Sequence, residues 1–358
     1  MSTPQEDILA HLCEVLSIKG EHDLRVDDVE VDVEPLVEFT RPIASDLGET
    51  GPRDRLTLAL WGLLYQGCYM HGRRLDAELT RAVMSTLVAR PPSPVALVSS
   101  LREDLQTIAD GTAGWDPGWE VYQVERDGLV RVRKGDCHQV ALAGEYLKAA
   151  APGVQVRVGA TVDLRVTVGT FEIQPGYYHV LGRVLGDTLE RFDCVRLYFN
   201  TRPGSVQILL RALVAALNRL EIPFRAKTPC SAVGYARTDA TVLYVARVHA
   251  PLVLDLVVEL PDCDRLLDPG VPMFSLPVAA GIGLADDPGA AESFGTNRCR
   301  LVAQALADAW RERGEDPDQR MRAIRAAFAS EGLDLARPHL GPGLAEIQPW
   351  PQTLEILA

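Results

Sequence analysis

The sequence predicts an α+β protein, with a helical N-terminal part followed by a mainly antiparallel sheet with flanking helices. Two observations carry this. Over roughly the first hundred residues, apolar side chains recur at the three- and four-residue spacing of a helix face. The character then changes near Gly111. The turn cluster Gly114-Trp-Asp-Pro-Gly118 opens a series of short β-rich runs. The 358 residues suffice for one large or two ordinary domains, and the expected division is 1–112 and 113–358.

Taken in order, Gln5–Ile18 places Ile8, Leu12, Val15 and Leu16 on one helical face. Residues 21–49 are acidic and hold Pro35 and Pro42, so they read as a long connection with one short strand at Val29–Val33. Asp54–Met70 is strongly apolar and reads as a buried helix. Asp76–Val88 and Pro94–Ile108 read as two more, separated by Pro91-Pro92. Strands are expected at Trp119–Glu125, Leu129–Arg133, Val154–Val158, Thr161–Thr167, Tyr177–Val184 and Val195–Asn200, with a helix interrupting at Gln139–Ala149. A helix follows Asn200: Pro203 suits its first turn, and Val206, Leu209, Leu210, Leu213 and Leu217 form one stripe. Strands resume at Pro223–Lys227 and Thr241–Ala246, and a short helix is expected at Leu252–Glu259. Residues 261–290, rich in Pro, Gly and Asp, read as a surface loop. Ser293 is a good N-cap for a helix whose face carries Leu301, Val302, Ala305, Leu306 and Trp310, and a last helix covers Asp318–Phe328.

The net charge is −13, which argues against a nucleic-acid partner. The charge is uneven. Residues 1–50 alone hold 13 acids and three bases. The N-terminus shows no secretory signal, and no apolar run approaches a membrane span. Seven widely spaced cysteines, with no CxxC, suit free thiols in a cytoplasmic protein. There is no P-loop, no GxGxxG after a strand, no HExxH, no GxSxG and no zinc pattern. Neither a metal nor a cofactor is expected.

What stands out is a basic block. Tyr177–Arg247 carries ten bases and five acids. Strand side chains alternate, so Arg196, Tyr198 and Asn200 share one face, as do Arg225 and Lys227, and Tyr177 and His179. Converging arginine forks would build an oxyanion site. The plainer reading, arginines that snorkel or pair with acids, stands beside it. The chain has four lysines against 32 arginines, and lysine is the cation that burial can turn into a general base. This singles out Lys227. His179 is the best-placed candidate acid in the block. Asp239 either orients a base or pairs with Arg237. Arg298 lies in the first turns of the helix opened by Ser293, where backbone amides favour anions.

Four segments carry a family resemblance: Pro175-Gly-Tyr-Tyr-His-Val-Leu-Gly182; Val195-Arg-Leu-Tyr-Phe-Asn200 with its helix; Ile222-Pro-Phe-Arg-Ala-Lys227 with Arg237-Thr-Asp-Ala-Thr-Val-Leu-Tyr244; and Gly281-Ile-Gly-Leu-Ala-Asp-Asp-Pro288 running into Glu292-Ser-Phe-Gly-Thr-Asn-Arg-Cys-Arg-Leu301. Together, over roughly 115–310, they resemble the HopA-type family, named for a type III secretion effector. Its relatives include lyases of thioamitide and class V lanthipeptide biosynthesis. The resemblance implies a phospho-Ser/Thr lyase. It would act beside a separate aminoglycoside-phosphotransferase-like kinase and eliminate phosphate from a ribosomal precursor peptide to leave dehydroalanine or dehydrobutyrine. Such chemistry needs a base, a cationic clamp and no metal. Lys227 would be the base and His179 the acid, with Tyr198, Tyr244 or phosphate itself as alternative acids. Arg196, Arg225, Arg237 and Arg298 would hold the phosphate, supported by Tyr198, Asn200 and Asp239. The alternative is a non-catalytic module that docks a phosphorylated or acidic peptide on the same basic face. A kinase and a short Ser/Thr/Cys-rich precursor encoded nearby would favour the lyase.

Overall fold

The computed structural model describes residues 3–88, 105, 108, 114–125, 128–134, 137–148, 156–166, 168–171, 173–174, 176–183, 193–260, 263–289, 292–314 and 316–348. The chain starts with helix α1 (Pro4–Val15), which Thr3 caps in a reciprocal box with Glu6. It ends three residues before the expected Ile18, because Leu16–Gly20 extends into strand β1. β1 pairs antiparallel with β2 (Asp23–Val26), and β2 with β3 (Val29–Val31). Helix α2 (Val33–Asp46) follows, capped by Asp32.

The long connection expected over 21–49 is therefore replaced by two strands and a helix. Pro35 lies in the first turn of α2, where no intrahelical N–H is required. Pro42 lies inside α2 and is tolerated because the helix is held from outside. Leu36, Val37 and Ala44 are buried, and the Thr40 hydroxyl donates to Leu58 O on the next helix at 3.0 Å.

Helix α3 (Arg55–Leu63) starts at the Asp54 cap and continues without a break into a π-helical turn, Leu64–Tyr69. This is the buried apolar helix expected over 54–70. Helix α4 (Ala77–Val88) agrees with expectation too. The helix expected at 94–108 lies outside the described residues except for Leu105 and Ile108, both buried.

Next comes a five-stranded antiparallel sheet, β4 (Gly114–Val124), β5 (Val130–Lys134), β6 (Cys137–Ala141), β7 (Tyr146–Lys148) and β8 (Thr161–Val166), in the order β6-β5-β4-β8-β7. It encloses a small core of its own around Trp119, Val121, Val132 and Val162. The helix expected at 139–149 is a correction: these residues form β6, a turn at Gly144 and β7. Gly144 has φ +97°, a conformation that ends any helix there. The strand expected at 154–158 is not formed at its described residues 156–158.

A seven-stranded antiparallel sheet positions the candidate site. Its strands are β9 (Gly169–Thr170), β10 (Tyr177–Leu181), β11 (Cys194–Phe199), β12 (Phe224–Pro229), β13 (Thr241–Ala246), β14 (Leu276–Ala279) and β15 (Ile282–Asp286), ordered β14-β15-β11-β13-β12-β10-β9. Helices α5 (Val206–Arg219) and α6 (Ala250–Val258) cover one face, where Leu197, Phe199, Leu243 and Val245 meet Leu209, Leu213 and Val253. The surface loop expected over 261–290 is a second correction. A short helix α7 (Cys263–Leu266) leads into the β14–β15 hairpin, and β15 pairs with β11 inside the sheet with all five residues buried. Its glycines and small residues pack there because the sheet is covered on both sides.

The other face of the sheet packs against α3, the π turn and α8 (Phe294–Arg311), and α8 packs on α9 (Pro317–Ser330). One apolar cluster joins Leu12, Trp61 and Tyr69 to Tyr198, Phe294, Leu306 and Phe328. The N-terminal and C-terminal helices thus share a core laid over the sheet. Among the described residues no helix is long and apolar enough to cross a membrane.

Candidate functional site

Strand alternation and register decide what the inner sheet face presents. The even-numbered core partners Tyr178 and Val180, and with them Ala226, Leu197 and Leu243, point to α5 and α6. Their neighbours therefore turn inward. His179 lies opposite Lys227, Arg225 opposite Tyr244, and Arg196 opposite Tyr244 from the other side. The Tyr244 ring becomes the centre of a cationic ring. The Arg225 guanidinium carbon lies 4.5 Å from its centroid, that of Arg196 5.2 Å, and Lys227 Nζ 5.9 Å. Lys227 Nζ is also 5.0 Å from the Tyr177 ring and donates to Gln174 Oε1 at 3.1 Å. Cation–π attraction, about 0.5–2 kcal/mol per pair, holds each cation at the ring while the three repel one another.

Only one of the three has a carboxylate partner among the described residues: Arg196 Nε donates to Asp287 Oδ2 at 2.8 Å. Arg225 and Lys227 have none, and Arg225 Nε is buried without a hydrogen bond. His179, 3% exposed, has both ring nitrogens unpartnered. Burial, then the charges of Lys227 and Arg225, push its pKa down to about 4, so the ring is neutral at pH 7.

A cavity of about 390 Å³ opens over this face. Arg196, Tyr198, Lys227 and Tyr244 form its floor, Phe39 and Ile43 of α2 with Tyr65 of the π turn and Met70 just after it its roof, and Ser293 and Thr296 at the start of α8 one end. Arg237 is at the wall but already engaged. It donates twice to Asp239, with Nη2 at 2.7 Å, and Nη2 also donates to the Tyr65 hydroxyl at 3.0 Å. Burial raises the Tyr65 pKa to about 12, and the hydroxyl stays protonated.

The structure thus brings Lys227, Arg196 and Tyr198 together at the cavity, with Arg225 at the Tyr244 ring and His179 beside Lys227 on the neighbouring strand. Arg237 and Asp239 form a pair that ties the sheet to the roof. Two expected residues are elsewhere. Arg298 is 2% exposed and donates to Pro338 O and Leu340 O, both at 2.9 Å, clamping the C-terminal segment. Its position one turn into α8 turns it away from the cavity. Asn200 falls just past β11 and donates through Nδ2 to Pro269 O at 2.9 Å, fixing the loop before β14. Sequence reasoning missed Tyr65, Met70, Phe39 and Gln174. Tyr65 and Met70 lie in an apolar helical stretch, and the π turn that aims them has no sequence signature; Phe39 lies in a segment read as a connection, and Gln174 in a bend.

The fold and site define a class: an α+β protein with a cation-floored, aromatic-roofed cavity on the inner face of an antiparallel sheet. Residues 171–340, the segment that carries the whole cation floor, match the model of the HopA1 effector protein family. Two solved structures are similar to it. The effector protein from Pseudomonas syringae pv. tomato strain DC3000 is 15% identical, with a TM-score of 0.42, over 86% of this chain and 98% of that one. The effector protein from Pseudomonas syringae pv. syringae strain 61 is 12% identical, with a TM-score of 0.42, over 86% and 95%. No curated protein matches the chain.

Proposed function

We propose that the chain is a phospho-Ser/Thr lyase that acts on a ribosomal precursor peptide phosphorylated by a separate aminoglycoside-phosphotransferase-like kinase. The observation that carries this reading is the ring of Arg196, Arg225 and Lys227 round Tyr244, two of the three cations having no carboxylate partner among the described residues. A phosphate dianion at that ring would offset the mutual repulsion of the cations.

In this reading Lys227 Nζ takes the Cα proton of the phosphorylated residue. The C–H electron pair becomes the Cα=Cβ bond, and the Cβ–O bond breaks with its pair leaving on phosphate. Arg196 and Arg225 stabilise the charge on the leaving group, an interaction strongest in the transition state. The proton now on Lys227 passes to the released phosphate, which restores the amine. His179, neutral at pH 7 in the free protein, is not the proton store in this scheme. It acts as an uncharged spacer that adds no further positive charge beside Lys227.

The test is to incubate the protein with the kinase-phosphorylated precursor and resolve the products by mass. Loss of phosphoric acid, leaving an unsaturated residue, supports the lyase. Loss of the phosphoryl group alone, leaving the alcohol, is hydrolysis and contradicts it. A stable complex with unchanged peptide would assign the chain to non-catalytic phosphopeptide binding instead.

A further inference from the structure

The roof of the cavity has no part in the elimination just described, yet it is built with care. Phe39, Ile43, Tyr65 and Met70 come from elements whose other faces lie in the core, and each is only partly buried. The Phe39 and Tyr65 rings stack at 5.7 Å, and those of Tyr65 and Tyr69 at 5.1 Å. The Tyr65 hydroxyl is held by Arg237, and Met70 O accepts from both Thr238 N at 2.8 Å and Thr238 Oγ1 at 3.0 Å. The apolar wall is therefore fixed in place before any ligand arrives, the arrangement that limits the ordering cost of binding.

Size argues in the same direction. About 390 Å³ is room for about a dozen waters at about 30 Å³ each. That is more than a phosphoryl group and its Cβ occupy. The floor is cationic, and the roof presents Phe39, Ile43 and Met70 with Asp46 and Gln66 at its margin, so the space suits an anion with an apolar group beside it.

We propose that the roof is a side-chain subsite: Phe39, Ile43, Tyr65 and Met70 take an apolar side chain of the residue adjoining the phosphorylated one in the peptide. The subsite rests on the phosphopeptide reading above. Its residues lie outside the 171–340 segment that matches the family, so the floor and the roof come from different parts of the chain. In this assignment the helical N-terminal part sets which neighbouring residue is accepted, and the sheet holds the phosphate.

The experiment uses the full chain and peptides carrying a phosphonate analogue of phosphothreonine, in which a methylene replaces the ester oxygen so that elimination cannot occur. Affinity is measured by calorimetry for peptides with leucine or glycine immediately before or after that residue. At least one leucine peptide should bind about tenfold more tightly than its glycine counterpart, the discrimination an apolar pocket gives one aliphatic side chain. Phe39→Ala and Met70→Ala should each cut that ratio to about two. Lys227→Ala should weaken both peptides alike and leave the ratio standing. The wild-type ratio does not depend on any variant folding, and thermal melts qualify the variants. Equal affinity for leucine and glycine peptides on both sides overturns the subsite and leaves the phosphopeptide reading intact. No binding, or binding unaffected by removing the phosphonate, overturns that reading and the subsite with it.

Discussion

His179 is held at a cost. Two buried ring nitrogens lack hydrogen bonds, a penalty of about 1–3 kcal/mol for each unsatisfied group, and two cations stand close by. The pH consequence follows from where protons bind. The folded protein resists protonating His179 down to about pH 4, whereas the unfolded chain protonates it near 6.5. Between these values the unfolded state binds more protons, so stability falls as pH drops from 6.5 towards 4. Between pH 7 and pH 5 this amounts to about 2 kcal/mol from the one residue. His179→Leu should therefore flatten the difference between urea unfolding midpoints at pH 7 and pH 5, and an unaltered difference would show that the ring is protonated in the folded state. At this scale the sequence showed much of the floor. Alternation put Arg225 with Lys227 and Arg196 with Tyr198 on single faces, and the structure brings those faces together. It could not show that Arg298 and Asn200 face backbone carbonyls, because that depends on where the chain returns 40 to 70 residues later.

The elements that were hardest to read are those whose local signals were overruled by packing. Pro42 marks a break by propensity, yet α2 persists through it because Leu36, Val37 and Ala44 are buried and Thr40 ties the helix to α3. The β14–β15 hairpin looks like a loop because its glycines and prolines read as punctuation, yet β15 is buried among six other strands. The π turn after α3 is invisible to periodicity, and it aims Tyr65 and Met70 at the cavity; π turns recur at functional sites. Its neighbour across the core is Gly295 in the first turn of α8. A Cβ there would lie 2.3 Å from the Tyr69 ring. Alanine is the better helix former by about 1 kcal/mol, but overpacking costs about 1–3 kcal/mol. Gly295→Ala is predicted to lower stability by up to about 2 kcal/mol in chemical unfolding. A stabilised variant would mean that α8 and the π turn are not in close contact.

Across the whole molecule, one shared core is the main result of the fold. Leu9, Trp61 and Tyr69 from the N-terminal part and Phe294, Leu306 and Phe328 from the last two helices belong to a single cluster over the sheet. Removing residues 1–112 would expose that face of the sheet together with α8, and burial of such side chains contributes about 1.5–3 kcal/mol each. The shortened chain is predicted to lose cooperative thermal unfolding by circular dichroism; a sharp transition near that of the full chain would mean that the C-terminal part folds alone. Charge follows the same architecture. The overall −13 hides an acidic N-terminal stretch, which supplies Phe39 and Ile43 of the roof, and a basic floor, so the protein can be anionic overall and still hold a phosphorylated peptide. The central claim is that Lys227 removes the proton in a phosphate elimination. It is tested most directly by comparing Lys227→Ala with the wild type on the phosphorylated precursor, following loss of phosphoric acid by mass spectrometry and binding with the phosphonate peptide. The account predicts that elimination falls by about a hundredfold or more while the variant stays folded and still binds; elimination at the wild-type rate would contradict it.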